Sequence, residues 1–256
     1  MNLKAVIFDV DGTLANTERD GHLPAFNQAF QSANIPWQWS EQLYGELLKV
    51  TGGKERMRFF IEQYPDLAGT VTQGMNEARL SQFLLELHQS KTRHYLELMA
   101  KGFIPLRTGV KRLINELHDA GVRLTIATTT TNSNITALFK HTIGLDVLDW
   151  FEVVAGAEQA PIKKPAPDVY EYVLKQLQLP ASACIALEDS TNGLKSAKNA
   201  NIKTLITTNA YTENENFEQA DLVVNHLGEP DKLCQVLSNK FNHITHIDVS
   251  ELNKLI

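Results

Sequence analysis

The chain has 256 residues, 24 Lys plus Arg against 30 Asp plus Glu, a formal net charge of -6 and a 43% hydrophobic share. That length buries a real core as one large domain or two modest ones, and the apolar content excludes a disordered polymer. The acidic balance argues against a general nucleic-acid binder, which must replace phosphate counterions with cations, but a locally basic cleft can still take a small anion.

Residues 5–8, Ala-Val-Ile-Phe, form an apolar run that reads as a strand buried on both faces, as in parallel sheets. Residues from about 17 to 101 contain no convincing strand. Helical spacing predicts helices over 23–33, 41–49, 55–63 and 76–99, the last with apolar positions at Leu80, Phe83, Leu84, Leu87, Tyr95 and Leu98. Strand-like runs return at 122–127, 153–155, 183–187, 202–206 and 222–224, with helical patterns over 110–119, 133–141, 167–177 and 192–199. This alternation implies right-handed crossovers and an α/β, Rossmann-like, doubly wound parallel sheet. The expectation is a core of residues 1–16 and 104–256, with an all-helical cap, residues 17–103, inserted between its first two strands. Hinges are expected near 16–20 and 101–105.

In the tail, residues 239–256, Ile247, Val249, Leu252 and Leu255 suggest a packed end or a weak interface. Cys184 and Cys234 are too few for a disulfide scaffold and match no zinc spacing; Cys184 reads as a small buried hydrophobe. No apolar run reaches the roughly 18 residues of a membrane helix, and the strand so near Met1 leads to the expectation of no targeting peptide. The expectation is a cytoplasmic monomer with no nucleic-acid or membrane partner.

Ligands of open α/β sheets sit at the carboxyl ends of strands. Four features fall there: Asp9-Val10-Asp11-Gly12-Thr13-Leu14, Thr128 with Thr129, Lys163-Lys164-Pro165, and Glu188-Asp189-Ser190. Asp9, Glu188 and Asp189 would crowd hard carboxylate oxygens into one crevice, where repulsion would keep a proton on one of them. A Mg²⁺ ion relieves that repulsion and leaves room for water and a substrate phosphate. Asp9 could then take a phosphoryl group, and Asp11 could protonate the leaving oxygen and activate water. Thr128, nearby N–H groups and a Lys would hold the equatorial oxygens. Gly12 permits the sharp turn that aims Asp11 back at the site.

In these residues the sequence resembles the haloacid dehalogenase superfamily of aspartate-nucleophile phosphatases. Its four motifs are matched in order, so the likeness covers nearly the whole core, and the Asp-x-Asp-Gly-Thr-Leu signature is the specific part. The resemblance implies Asp9 as nucleophile and Asp11 as general acid/base. It implies Mg²⁺ held by Asp9, the Asp11 carbonyl and Asp189, with Glu188 in support, and the phosphate bound by Thr128, Thr129 and Lys164. Lys163 competes for the last role; Lys164-Pro165-Ala166-Pro167-Asp168 favours Lys164 by likeness to the β-phosphoglucomutase branch. The helical insertion looks like the small cap of that branch. Glu18-Arg19-Asp20-Gly21-His22 and Thr51-Gly52-Gly53-Lys54-Glu55-Arg56-Met57 are similar to the CbbY-type sugar-phosphate phosphatases, which include one selective for xylulose bisphosphate. The likeness implies a small phosphorylated sugar as partner, often a bisphosphate. Gly53, Lys54 and Arg56 would then meet a distal phosphate, and Glu18, Arg19 and His22 would contact sugar hydroxyls or position Asp11.

Plainer readings stand beside these. Asp9 and Asp11 suit a turn, Thr128 suits a strand, and Glu188-Asp189-Ser190 suits a helix cap. Lys54 and Arg56 suit a solvent-facing helix start, and His22 an interior position. A sugar phosphomutase shares the aspartyl-phosphate chemistry. A metal-free 2-haloacid dehalogenase leaves Asp11, Glu188 and Asp189 unexplained. A phospho-acceptor signalling domain is shorter and lacks the insertion. A non-catalytic sugar-phosphate binder leaves the full motif set idle.

Overall fold

The four residues of the opening run are fully buried, and in the computed structural model they form β1 (Ala5–Phe8), a central strand of a six-stranded sheet. The structure describes residues 2–50, 52–160, 162–238 and 244–256. Thr51 of the cap motif and residues 239–243 of the tail lie outside the described residues. The chain divides into two compact units, Met1–Asn16 with Pro105–Ile256, and Thr17–Ile104. The second boundary falls one residue later than the sequence reading because Ile104, 1% exposed, is buried in the insert.

The inserted unit begins with a π-helical turn, Glu18–His22, in which the Leu23 N–H reaches back to Glu18 O. It continues as α1 (Leu23–Ser32), α2 (Glu41–Leu47), α3 (Gly53–Gln63), α4 (Pro65–Ala68) and α5 (Glu77–Ala100). Ser40 and Asn76 cap α2 and α5 by accepting the Leu43 and Arg79 N–H groups. The core of this unit is aromatic: Phe26, Phe30, Trp37, Trp39, Tyr44 and Phe60 pack with neighbouring ring centroids 4.8 to 6.2 Å apart. On α5 the buried stripe is Leu84, Leu87, Lys91, Tyr95 and Met99, a helical repeat with one lysine in it. Leu80, Phe83 and Leu98 are half-buried at its margin.

The other unit follows with α6 (Val110–Asp119), β2 (Arg123–Ala127), α7 (Asn132–Thr142), α8 (Leu145–Leu148), β3 (Phe151–Ala155) and α9 (Asp168–Leu177). Then come β4 (Cys184–Glu188), α10 (Thr191–Asn199), β5 (Lys203–Thr207), β6 (Leu222–Val224) and α11 (Val249–Asn253). All neighbouring strands are parallel, in the order β3-β2-β1-β4-β5-β6. Helices α4, α8 and α11 were not read from the sequence, since four or five residues are too short to display a helical period. The described tail is a packed end: Ile247 and Leu252 are buried, and Arg112 Nη2 donates to Ile247 O at 3.0 Å. Cys184 and Cys234 are buried free thiols. Among the described residues, no helix is long and apolar enough to cross a membrane.

Candidate active site

The strand order reverses at β1: β2 and β3 build outward on one side, and the chain then crosses to β4 on the other. Ligand crevices open at the carboxyl ends of strands at such a point. Register pairs Phe8 with Leu187, so Asp9 leaves β1 beside Glu188 at the end of β4, and Asp9 N–H donates to Leu187 O at 3.0 Å. Carboxylate oxygens of Asp9, Glu188 and Asp189 all lie within 4.8 Å of one another, and all three residues are buried.

Lys164 reaches this cluster from the loop before α9. Its Nζ lies 2.7 Å from Asp9 Oδ1 and 2.5 Å from Glu188 Oε1, and donates to Ala127 O at 2.9 Å. Tyr170, in the first turn of α9, donates its hydroxyl to Glu188 Oε1 at 2.5 Å. Glu188 Oε2 takes the Asp189 N–H at 3.3 Å, and the Asn209 amide donates to Asp189 Oδ2 at 2.7 Å. Backbone closeness enforces this packing. Gly12 sits at φ +84°, and a Cβ there would overlap the Asp189 carboxylate; a Cβ on Gly193 would overlap that of Glu188. Ser190 caps α10 by accepting the Gly193 N–H at 3.1 Å, the plain role its residue type suggests.

The residue profile of the haloacid dehalogenase-like hydrolases matches residues 6–207. The chain belongs to the haloacid dehalogenase-like hydrolases. Phosphatase chemistry is its enzymatic class. This hydrolase is 44% identical over 229 residues to protein CbbY of Cupriavidus necator, covering 89% of this chain and 87% of that protein. It also matches crystal structures of CbbY from Rhodobacter sphaeroides, each with TM-score 0.76 and covering 88% of this chain and 94% of that one. One, 39% identical, is in complex with phosphate; the other, 38% identical, is an aspartate-to-asparagine mutant with xylulose-(1,5)bisphosphate. A β-phosphoglucomutase from Clostridium difficile shares the fold, with TM-score 0.66 and 19% identity.

The electrostatics of this hydrolase follow from burial. Burial foremost, and then the neighbouring carboxylates, push Asp189 well above its ordinary range. Burial and Asp9 push Glu188 up to about 7 against the pull of Lys164. Burial alone would lower Lys164, but Asp9 and Glu188 outweigh it and raise the ammonium above its usual value. Burial first, and then the closeness of like charges, raise Glu188 and Asp189, while Lys164 opposes this at Glu188 and Arg107 at Asp189. The donor set is three carboxylates offering hard oxygen, which fits a divalent cation.

Of the residues singled out in the sequence, the structure gathers Asp9, Lys164, Glu188 and Asp189 directly. Lys163 is exposed, so Lys164 is the one of the pair inside the cluster. Thr128 follows β2 beside Ala127, is 2% exposed, and accepts the Thr130 N–H at 3.3 Å; Thr129 is half-buried. Asp11 is half-buried in the turn after β1, and its carboxylate is not one of the clustered three.

Glu18, Arg19, His22, Gly53, Lys54 and Arg56 belong to the inserted unit. There Arg56 Nη1 donates to the Tyr44 hydroxyl at 2.5 Å and lies 3.4 Å from Glu18 Oε2, and the Tyr44 hydroxyl donates to the same oxygen. Burial would raise Glu18, but Arg56, His22 and Tyr44 outweigh it and hold the carboxyl at about 2. His22 stacks on Tyr95 at 4.2 Å, with Lys91 Nζ 2.7 Å from its Nδ1. Burial foremost and the Lys91 ammonium lower His22 well below its ordinary value. Arg19 is exposed and paired with Asp20 at 2.7 Å. A Cβ on Gly53 would press on the His88 ring at 2.6 Å.

Lys54 and Arg56 differ in exposure. Arg56 is buried with Tyr44 and Glu18, whereas Lys54 is exposed. Residues two apart on a helix do not face each other. Arg56 is also not the solvent-facing alternative. The sequence reading missed Tyr170, Asn209, Tyr44 and Lys91. A signal existed for Lys91, a charge standing in the apolar stripe of α5. None existed for Asn209, which joins the site through the placement of β5 beside β4.

Proposed function

We propose that the protein is a Mg²⁺-dependent phosphatase of a small sugar phosphate or bisphosphate, acting through an aspartyl phosphate on Asp9. The buried cluster of Asp9, Lys164, Glu188 and Asp189 carries this reading. The sugar follows from the likeness to CbbY, whose crystal structure contains xylulose-(1,5)bisphosphate. Asp9 Oδ forms the new bond to phosphorus as the bond from phosphorus to the sugar oxygen breaks, and Asp11 gives its proton to that oxygen. A water then attacks the same phosphorus, Asp11 takes a proton from that water, and the Asp9–P bond breaks to release inorganic phosphate. Lys164, Thr128 and Thr129 hold the equatorial oxygens. Asp9, Asp189 and the Asp11 carbonyl would hold Mg²⁺, with Glu188 in support. The ion supplies charge neutralisation that lets a carboxylate meet a phosphoryl group. Glu188 and Tyr170 keep Lys164 in place.

In the inserted unit we assign recognition of sugar hydroxyls to Glu18, Arg19 and His22, and of a distal phosphate to Gly53, Lys54 and Arg56. Phosphate release from xylulose 1,5-bisphosphate and from sugar monophosphates tests this, with and without Mg²⁺. Turnover should require the metal, and Asp9→Asn should reduce it by more than ~10³-fold. Full metal-dependent turnover in Asp9→Asn would overturn the mechanism.

A further inference from the structure

Arg107 lies on the chain returning from the inserted unit. Its N–H donates to Leu14 O at 2.8 Å, and Leu106 bridges Ala15, so the outgoing and returning segments are paired here. Its guanidinium turns into the sheet unit and meets five acceptors. Nη1 donates to Gly12 O, to Thr207 O at 3.1 Å and to Thr207 Oγ1 at 3.0 Å. Nη2 donates to Thr208 O at 2.5 Å and Asn225 O at 3.0 Å.

The Arg107 charge is felt by Asp189, but its hydrogen bonds go to backbone carbonyls and one hydroxyl rather than to a carboxylate. A guanidinium bound to backbone carbonyls from three segments fixes where those segments lie. The Gly12 carbonyl follows Asp11 in the turn after β1, a turn closed by Gly12 N–H to Ala15 O at 2.8 Å and Leu14 N–H to Val10 O at 2.9 Å. Thr207 ends β5, and Thr208 leads into Asn209, whose amide holds Asp189. One planar fork therefore joins the turn that carries Asp11 to the segment that steadies Asp189.

We propose that Arg107 is a positioning residue for the phosphatase reaction, clamping the Gly12 carbonyl so that Asp11 is aimed at the leaving oxygen. This rests on the phosphatase reading above. Lys at this place keeps the charge and loses the fork, so Arg107→Lys should misaim Asp11 without changing the nucleophile. Two substrates separate these effects. A sugar oxygen leaves poorly and needs a proton, whereas p-nitrophenolate leaves without one. With Mg²⁺, Arg107→Lys should lower the first-turnover rate of phosphoryl transfer from xylulose 1,5-bisphosphate by ~10²-fold. The first-turnover burst of p-nitrophenolate should keep its wild-type rate, followed by slow turnover, because water activation also needs Asp11.

An equal fall in the first-turnover rate on both substrates, or no fall on either, would overturn the proposal. If Arg107→Lys does not fold by circular dichroism, Thr207→Val removes one contact of the fork and should show the same split at smaller size; its absence would likewise overturn the proposal. Failure of the phosphatase reading itself would look different, since wild-type protein would then lack Asp9-dependent turnover of either substrate.

Discussion

Replacing Gly193 by Ala sets two effects of opposite sign against each other. Gly193 is the third residue of α10, and Ala in a helix interior is favoured over Gly by about 1 kcal/mol. Helix propensity alone therefore predicts a more stable protein. The Glu188 carboxylate, however, already fills the space where the new Cβ would go. That carboxylate is not free to swing away, because Lys164 and Tyr170 each hold Oε1 at 2.5 Å. Overpacking a tight site costs about 1–3 kcal/mol, and loosening a hydrogen bond to a charged group costs about 1.5–3 kcal/mol more. The packing term wins, for a net loss of about 1.5–5 kcal/mol, at roughly 2–4 °C of Tm per kcal/mol in a chain this size. Thermal unfolding of Gly193→Ala, with Asn192→Ala as the exposed control on the same helix, measures it. The control should match wild type or exceed it slightly. The Mg²⁺ concentration for half-maximal phosphate release should rise in Gly193→Ala. A variant as stable as wild type, with unchanged metal dependence, would refute the reasoning.

Two further outcomes concern the inserted unit. The Glu18 carboxyl is held at about 2, below its usual 4.5, so its stabilisation is present above 4.5 and is lost as pH falls toward 2. The gap is worth on the order of 3 kcal/mol, so the stability lead of wild type over Glu18→Gln in urea unfolding should shrink between about pH 5 and about pH 3.5; a lead constant across that range would contradict the pairing with Arg56. Removing the ammonium by Lys91→Met should raise the titration midpoint of His22 in an NMR titration, since Lys91 opposes protonation of the ring it faces. Glu18, Arg56 and His88 also face that ring and stay in place. An unmoved midpoint would show that Lys91 does not set the state of His22.

The sequence by itself determined the sheet, its parallel sense and the helical nature of the insert, because these rest on local period. Residues 5–8 and 222–224 are strands over the spans their apolar runs mark, and the run at 122–127 begins one residue later, as β2. It also marked Asp9, Glu188 and Asp189, since parallel strands deliver their following residues to one edge. Residue chemistry alone did not separate Lys163 from Lys164; the likeness in residues 164–168 favoured Lys164, and it is Lys164 that the fold buries. Nor could the sequence foresee that Arg56 would turn inward to Tyr44 and Glu18 while Lys54 faced solvent, which is decided by the angle of α3 against its aromatic neighbours. Asn209, Tyr170 and Arg107 reach their partners across gaps of 20, 18 and 95 residues in sequence. Such gaps carry no local signature. The tertiary structure decides them, because burial turns every unpaired polar group into a cost that the nearest available partner must meet.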